Sequence, residues 1–257
     1  MNQYDTHSAL YDALYLGLKG EKEFYVSESL KIGGNILELG CGTGRITIPI
    51  AQSGLDIVGI DNSEGLLKEA NEKVSKIKNL PGNVEFLYGD MRDFSLEKKF
   101  DLIIIPYRAF LHLHTPEDQK KTLRNIHNHL NENGKLIMNM FFPRIDVIDS
   151  SINTLGNAIK QVKTLENNGK KTIFYDSRTY SSYTQLIHQY FIAEELDENG
   201  IVTSKQYFPL TLRWVTKFEM EHLFELCNFK IENLYGWFDK RNLSDESEEM
   251  IWVVKKS

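Results

Sequence analysis

The segment NILELGCGTGR (35–45) places glycines at every second position directly after a short apolar run. These glycines are Gly40, Gly42 and Gly44. Because glycine has no Cβ, such a loop can turn sharply and let another molecule approach its backbone closely. A buried strand that continues through this kind of loop into a helix is typical of nucleotide-cofactor sites. The spacing differs from the dinucleotide fingerprint Gly-x-Gly-x-x-Gly, since Arg45 stands where the third fingerprint glycine belongs, and this disfavours NAD.

Two carboxylates follow the next two apolar runs. Asp61 ends LDIVGID, where a carboxylate can accept hydrogen bonds from both hydroxyls of a ribose. Asp90 lies in YGDMRDF, where it could accept a hydrogen bond from an adenine amino group while Met91 packs on the ring. Each carboxylate alone is also typical of a turn or a helix cap. Because ligands of open α/β sheets bind outside the carboxyl ends of the strands, the three motifs together predict one cofactor site.

The positioning elements follow from an alternation of short apolar runs with segments of helical length between residues 35 and 142. This alternation predicts an α/β fold: a Rossmann-like, doubly wound, mostly parallel sheet with helices on both faces. One helix has clear signals, because Thr115 can cap it, Pro116 suits its first position and Asp118 completes a capping-box pattern. Gly134 is placed to end that helix.

After about residue 145 the sequence becomes rich in Tyr, Thr, Ile and Phe and is interrupted twice by Asn-Gly. Asn-Gly between such runs indicates hairpins, so we predict an antiparallel β insertion at 146–213, after the fifth strand. The capping-box pattern from Thr216 to Glu219 then starts a further helix. We expect residues 1–145 and 214–257 to form the main domain, with one or two N-terminal helices acting as a lid.

The composition is that of an ordinary globular protein: of 257 residues, 41% are apolar and 26% are charged. A formal net charge of −6 gives no basic footprint for nucleic acid. No apolar run approaches the roughly 18 residues of a membrane span, and the polar start lacks the apolar core of a signal peptide. Cys41 and Cys227 suggest neither a disulfide framework nor a metal site. We therefore expect a cytoplasmic protein with a small-molecule substrate and with no metal, nucleic acid or membrane partner.

Three segments resemble the class I S-adenosylmethionine-dependent methyltransferases: ELGCGTGR (38–45), GIDNS (59–63) and GDMRDF (89–94). The resemblance covers about residues 20–142, and RWVTKFEMEHLFELCNF resembles the penultimate helix of that family. GDMRDF, IIPYRAFLHL and the β insertion are similar to a bacterial small-molecule branch that includes amino-sugar N,N-dimethyltransferases. The resemblance implies S-adenosylmethionine as the methyl donor and S-adenosylhomocysteine as the product.

The resemblance also implies roles for individual residues around the cofactor. The glycine loop would pack against its amino acid portion, Glu38 would meet its ammonium and Asp61 would hold its ribose. Asp90 and Met91 would fix the adenine edge, and Tyr107 would border both cofactor and acceptor. The other residues expected at the cofactor are Tyr11, Tyr25, Gly40, Cys41, Gly42, Arg45, Asn62, Leu66 and Arg92. In that set the two tyrosines would close the pocket, since aromatic faces suit a sulfonium cation, and ordinary helix packing is their alternative role.

Methyl transfer from a sulfonium is an in-line displacement that needs a nucleophile held about 3 Å from the methyl carbon. An amine needs at most a modest base, whereas a hydroxyl needs a better one. His112 in FLHLHTPED is the candidate catalytic base, ahead of His114, and its alternative role is packing against the sheet. Arg108 could bind an acceptor carboxylate or phosphate, or form a structural salt bridge. IPYR falls short of the Asp/Asn-Pro-Pro-Tyr motif of enzymes that methylate nucleic acid bases.

These patterns predict a methyltransferase for a small-molecule acceptor, with amines favoured over hydroxyls. Two alternatives stay open: a non-catalytic protein that binds S-adenosylmethionine or S-adenosylhomocysteine, and, less favoured, an NAD-dependent oxidoreductase. The aromatic strands of the β insertion could wall the acceptor pocket or pair with a second copy in a homodimer.

Overall fold

A computed structural model describes residues 12, 15–144, 159–167 and 170–257 of the chain. Tyr11, expected to help close the cofactor pocket, lies outside these residues. The chain divides into two compact units, Met1–Phe142 with Val215–Ser257, and Pro143–Trp214.

Among the described residues, the strands are β1 (Ile36–Leu39), β2 (Ile57–Asp61), β3 (Val84–Tyr88), β4 (Phe100–Ile105), β5 (Leu130–Phe141), β6 (Lys160–Asn167), β7 (Lys170–Tyr180), β8 (Leu186–Leu196), β9 (Val202–Arg213), β10 (Phe229–Tyr235) and β11 (Glu249–Lys256). The helices there are α1 (Glu21–Ile32), α2 (Thr47–Gln52), α3 (Glu64–Ser75), α4 (Pro116–His129) and α5 (Lys217–Leu226). Within these ranges no helix is both long enough and apolar enough to cross a membrane.

The first unit is built on a seven-stranded sheet, with the order β10-β11-β5-β4-β1-β2-β3 in the described part of the chain. Strands β1 to β5 run parallel, and β11 lies antiparallel between β5 and β10. The chain runs outward from β1 to β3 and then returns to β4 on the other side of β1. With right-handed crossovers, this reversal places helices on opposite faces and opens a crevice at the carboxyl ends of β1 and β4. The predicted Rossmann-like, mostly parallel sheet is confirmed.

The central strands are buried on both faces, which explains their continuous apolar sequence. All four residues of β1 are buried, as is β4 from Leu102 to Ile105. Phe24 and Tyr25 of α1 share one hydrophobic core with these strands and with Phe238. The core therefore fixes the strand ends at which the sequence predicts the site.

Helix α4 begins at the predicted cap but ends earlier than predicted. The Thr115 hydroxyl accepts a hydrogen bond from the Asp118 amide at 3.1 Å. The helix ends at His129, and Gly134 belongs to β5, so the prediction that Gly134 terminates the helix is wrong. A Cβ on Gly134 would lie 2.8 Å from the carbonyl oxygen of Phe100, so this glycine permits the close contact between β5 and β4.

Helix α5 has the predicted capping box. The Thr216 hydroxyl accepts from the Glu219 amide, and the Glu219 carboxylate accepts from the Thr216 amide, both at 3.3 Å. This reciprocal pair satisfies two N–H groups at the start of the helix and confirms the sequence pattern.

The second unit contains an antiparallel sheet with the order β6-β7-β8-β9. These strands follow β5 in the chain, so the predicted β insertion is confirmed. In the turn between β8 and β9, the Asp197 carboxylate accepts from the amides of Asn199 and Ile201, and Gly200 has a φ of 79°. This Asn-Gly pair therefore makes the predicted hairpin, whereas the other pair, at 168–169, lies outside the described residues.

Candidate active site

The glycine loop (residues 40–45) leaves the carboxyl end of β1 in a conformation that favours glycine. Its three glycines have φ angles of 75°, 53° and 78° in chain order, a region that side-chain-bearing residues rarely adopt. The amides of Gly40 and Cys41 both donate to the Ile60 carbonyl, at 2.8 and 3.1 Å. The loop is thereby fixed to the end of the neighbouring strand β2.

Three loops meet at this edge of the sheet. A Cβ on Gly40 would lie 2.7 Å from the Cβ of Ala109 and 3.7 Å from the Cε of Met91. Met91 follows β3 and Ala109 follows β4, so the segments after β1, β3 and β4 approach one another. Glycine at position 40 permits this approach, because a side chain there would overlap Ala109.

Asp61, at the end of β2, is bound to the glycine loop. Its Oδ2 accepts a hydrogen bond from the Gly42 amide at 2.8 Å, and its Oδ1 accepts one from the Ser63 amide at 2.9 Å. These two contacts orient the Asp61 carboxylate between the glycine loop and the segment that leads into α3. The adjacent Asn62 is exposed, whereas Leu66 in the first turn of α3 is buried.

Glu38 and Cys41 are both buried. The Glu38 carboxylate accepts a hydrogen bond from the Thr47 hydroxyl at 2.5 Å. Burial raises the pKa of Glu38 to about 8, against the opposing effect of the Thr47 bond, so this side chain is mostly protonated at neutral pH. The Cys41 sulfur packs against Gly59, and burial raises the pKa of the thiol well above its usual value.

Asp90 and Arg92, which follow β3, form an ion pair. The Arg92 amide and two of its guanidinium nitrogens donate to the Asp90 carboxylate at 2.6 to 2.9 Å. Burial acts to raise the pKa of Asp90, but the hydrogen bonds from Arg92 outweigh it and hold the pKa below its ordinary value. Arg92 also lies 3.4 Å from Asp118 of α4. The pair therefore presents an ionised, oriented carboxylate next to Met91.

The strand-four loop (residues 106–112) begins with strained backbone. Tyr107 and Arg108 have φ angles of 52° and 67°, and a non-glycine residue pays about 1–3 kcal/mol for such a conformation. The Tyr107 amide donates to both Glu21 Oε1 and Asn139 Oδ1, at 2.9 Å each. Strain of this kind persists only where surrounding contacts impose it, and these two acceptors supply such contacts.

A buried polar network supports the same loop. Glu249 of β11 accepts from the Arg108 guanidinium at 2.8 Å and from Asn139 Nδ2 at 2.8 Å. Arg108 therefore forms the structural salt bridge that the sequence left open as its alternative role. The Tyr25 hydroxyl donates to Asn139 Oδ1 at 2.9 Å, and burial raises the pKa of Tyr25 well above its usual value. Tyr25 thus lies in the core and reaches the strand-four loop through Asn139, and its role at the cofactor stays a prediction.

The Tyr107 ring contacts a cation and a second aromatic ring. The guanidinium carbon of Arg45 lies 4.6 Å from the centroid of the Tyr107 ring. The Tyr15 and Tyr107 rings pack edge to face, with their centroids 6.2 Å apart. Arg45 also pairs with Glu21 at 2.7 Å. The end of the glycine loop is therefore tied directly to the strand-four loop.

His112 closes the strand-four loop in the 3₁₀ turn Ala109–His112. Burial and the neighbouring His114 lower the pKa of His112 to about 4. The imidazole is therefore neutral at pH 7 and is a weak base.

A family model described as a methyltransferase domain matches residues 36–134, from the first residue of β1 into β5. Cypemycin N-terminal methyltransferase from a Streptomyces species is 23% identical over 87% of this chain and 84% of its own length. The CcbJ methyltransferase from Streptomyces caelestis has a TM-score of 0.80 at 20% identity, covering 94% of this chain and 98% of that one. The sugar N-methyltransferase KedS8 from Streptoalloteichus sp ATCC 53650 has a TM-score of 0.71 at 17% identity, covering 96% and 93%.

The chain belongs to the class I S-adenosylmethionine-dependent methyltransferases. This assignment removes the NAD-dependent and the non-catalytic alternatives. When bound, S-adenosylmethionine supplies an activated methyl group on a sulfonium and leaves as S-adenosylhomocysteine. The methyltransferase presents chemistry that fits it: bare backbone at the glycine loop, an oriented carboxylate at Asp61, and an ionised Asp90 followed in the chain by Met91, whose Cε lies near Gly40.

Sequence analysis did not predict three residues of the candidate site. Glu21, Asn139 and Glu249 hold the strand-four loop, yet none lies in a recognisable motif. A signal was available for two of them, since Asn139 interrupts the apolar run KLIMNMFF and Glu249 directly precedes the apolar run MIWVV. A polar residue in a buried strand must have a hydrogen-bond partner, although the sequence does not show which one.

Proposed function

We propose that the enzyme transfers a methyl group to the nitrogen of a small-molecule amine by direct in-line displacement. The observation that carries this proposal is the weak basicity of His112, whose pKa is lowered to about 4 by burial and by His114. A neutral amine attacks with its own lone pair and loses its proton after transfer, so it needs no strong base. A hydroxyl must lose its proton as it attacks, and a histidine of this pKa is a poor acceptor for that proton.

His112 then orients the acceptor rather than ionising it. Its neutral imidazole has one nitrogen able to accept a hydrogen bond, which an amine N–H can donate. The fixed strand-four loop, which ends at His112, holds the acceptor in line with the methyl group and excludes water.

We assign the cofactor to the edge where the three loops meet. The glycine loop takes the amino acid portion, and Asp61 accepts hydrogen bonds from the ribose hydroxyls. Asp90 and Met91 hold the adenine, and Tyr107 borders the sulfonium. For Tyr11, Tyr25, Glu38, Cys41, Arg45, Asn62, Leu66 and Arg92, contact with the cofactor stays a prediction.

The names of the relatives support nitrogen as the acceptor atom. KedS8 is a sugar N-methyltransferase, and the cypemycin relative is an N-terminal methyltransferase. The sequence resemblance to amino-sugar N,N-dimethyltransferases favours the same chemistry. Amino sugars are therefore the first acceptors to test.

A paired-acceptor assay tests the proposal. The purified enzyme is incubated with S-adenosylmethionine and either an amino sugar or the matched sugar with hydroxyl in place of amine, and S-adenosylhomocysteine formation is followed. His112→Gln is compared with His114→Gln, a neighbouring histidine replaced in the same way. Gly42→Val, which should not bind the cofactor, serves as the blank. Any S-adenosylhomocysteine formed with this variant measures donor breakdown that does not depend on the site.

We expect turnover with the amine and none with its hydroxyl partner. Because a single neutral hydrogen bond contributes about 0.5–1.5 kcal/mol, His112→Gln should lower kcat by about tenfold or less. A removed general base typically costs roughly 100-fold or more. Methylation of the hydroxyl series with the amines inert, or a general-base-sized loss in His112→Gln, would overturn the proposal.

We also propose that the second unit mediates a homodimer. Strand pairing places Tyr190 beside Pro209 and Ile192 beside Tyr207 on one face of its sheet. Tyr190 and Tyr207 are 47% and 57% exposed, which gives this face aromatic surface suited to an interface. Light scattering on wild type, Tyr207→Glu and the opposite-face control Gln206→Glu tests this: only Tyr207→Glu should become monomeric, and a monomeric wild type would contradict it.

A cytoplasmic location completes the proposal. Cys41 and Cys227 are both buried free thiols, and free thiols are typical of reducing compartments. Fractionation of the source cells followed by immunoblotting tests this, and recovery outside the cytoplasmic fraction would contradict it.

A further inference from the structure

Glu21, the first residue of α1, is a fully buried carboxylate with three hydrogen-bond donors around it. Its Oε2 accepts from the Arg45 guanidinium at 2.7 Å and from the Leu18 amide at 3.2 Å. Its Oε1 accepts from the Tyr107 amide at 2.9 Å. A buried carboxylate is stable only when paired and hydrogen-bonded in this way, so its position is closely specified.

The three donors belong to three separate segments of the site. Leu18 lies in the segment before α1, Arg45 ends the glycine loop and Tyr107 begins the strand-four loop. Arg45 is itself confined, because its guanidinium lies over the Tyr107 ring and a Cβ on Gly17 would overlap it. Glu21 therefore joins the loop assigned to the cofactor to the loop assigned to the acceptor.

The strand-four loop depends on such an anchor. Tyr107 and Arg108 are consecutive non-glycine residues with positive φ, and the Tyr107 amide is held by Glu21 together with Asn139. When one of two anchors is weakened, a strained segment can relax towards commoner backbone angles. Relaxation here would move the Tyr107 ring and the Arg45 guanidinium that lies on it.

We propose that Glu21 is a positioning residue for S-adenosylmethionine binding, acting through Arg45 and Tyr107 to hold the glycine loop and the strand-four loop in one arrangement. The inference rests on the family assignment and is independent of which acceptor the enzyme uses. It predicts that cofactor affinity depends on Glu21 beyond any effect of Glu21 on folding.

The test compares Glu21→Gln with Glu28→Gln, a matched control on the same helix. Glu28 is partly buried and accepts hydrogen bonds from Lys31 at 2.8 Å and Lys240 at 2.6 Å. The glutamine at position 21 can still accept from the Tyr107 amide but presents its NH₂ group to Arg45. For each variant, circular dichroism gives the Tm and calorimetric titration gives the Kd for S-adenosylhomocysteine well below that Tm.

We expect both substitutions to lower the Tm, but only Glu21→Gln to raise the Kd for S-adenosylhomocysteine, by about tenfold. Arg45→Met alone and with Glu21→Gln completes a double-mutant cycle, in which the two losses of affinity should be clearly less than additive. If Glu21→Gln does not fold, Glu21→Asp, which keeps the charge but shortens the reach, should raise the Kd several-fold. A folded position-21 variant that binds S-adenosylhomocysteine within twofold of wild type, or a fully additive cycle, would overturn the inference.

Discussion

Replacing Asp61 by asparagine should weaken cofactor binding while leaving the fold intact. The carboxylate accepts one backbone N–H on each oxygen, from Gly42 and from Ser63. Asparagine is nearly the same size but keeps only one oxygen, so its NH₂ group must face either a backbone donor or a ribose hydroxyl. The substitution therefore removes charge and acceptors without creating a cavity.

The expected magnitude follows from the hydrogen bonds that the change removes. A hydrogen bond to a charged acceptor contributes about 1.5–3 kcal/mol, so loss of one such bond to the ribose costs about that amount in binding free energy. At about 1.4 kcal/mol for each tenfold change, the Kd for S-adenosylhomocysteine should rise roughly 10- to 150-fold. Loss of the bond from Gly42 or Ser63 should also lower the Tm.

The control is Asp56→Asn, at the opposite end of the same strand. Asp56 also accepts two hydrogen bonds, from the amide and the side chain of Asn83, at 2.8 and 2.9 Å. Titration calorimetry should give a wild-type Kd for this variant and a raised Kd for Asp61→Asn. If folded Asp61→Asn bound S-adenosylhomocysteine within threefold of wild type, Asp61 would not hold the ribose and the reasoning would be refuted.

Three further predictions concern the same edge of the sheet. Gly42→Val should abolish S-adenosylhomocysteine binding in a folded protein, because a branched side chain is strained at a φ of 53° and would cover the backbone; retained affinity in calorimetry would contradict this. Tyr25→Phe should lower the free energy of unfolding by about 1 kcal/mol in urea titrations, because its buried hydroxyl donates to Asn139; an unchanged value would show that this bond contributes nothing. For Glu38, the folded-state pKa of about 8 exceeds the ordinary value of 4.5 for a glutamate carboxyl, so the stability that this group contributes below about pH 4.5 is lost as pH rises towards about 8. Glu38→Gln should therefore gain stability relative to wild type as pH rises through this window, and parallel stability–pH curves in urea titrations would contradict this.

The sheet and the insertion could be predicted because their signals are local. The apolar run ending at Leu39, the glycine loop and Asp61 could each be predicted from a few consecutive residues and from the order of the strands. Asn-Gly likewise predicts a hairpin because the turn geometry is set by those two residues. The capping box from Thr216 to Glu219 spans a single helical turn.

The support of the strand-four loop could not be predicted, because its partners are distant in sequence. Arg108 pairs with Glu249, 141 positions away, and Tyr25 donates to Asn139, 114 positions away. The aromatic residues of α1 fit both a lid and a core helix, and only the fold shows that Tyr25 faces the core. Such contacts depend on which strands become neighbours in the sheet, and this is set by the whole chain.

Dependence on contacts distant in sequence also explains why the prediction that Gly134 ends a helix was wrong. A glycine shortly after a helical pattern is typical of a helix end, but its lack of a Cβ serves a strand contact in this protein. The approach of Phe100 from β4, 34 residues earlier, decides its role. Local pattern and tertiary contact both favour glycine there, so the sequence alone does not separate them.

The central claim is methyl transfer to nitrogen, and the most direct test is to locate the transferred methyl group. The enzyme is incubated with S-adenosylmethionine carrying a ¹³C-labelled methyl group and an amino sugar that offers both amine and hydroxyl groups, and the product is examined by NMR. The account predicts the labelled carbon bonded to the amine nitrogen. A labelled carbon on oxygen, with the amine unmodified, would contradict it.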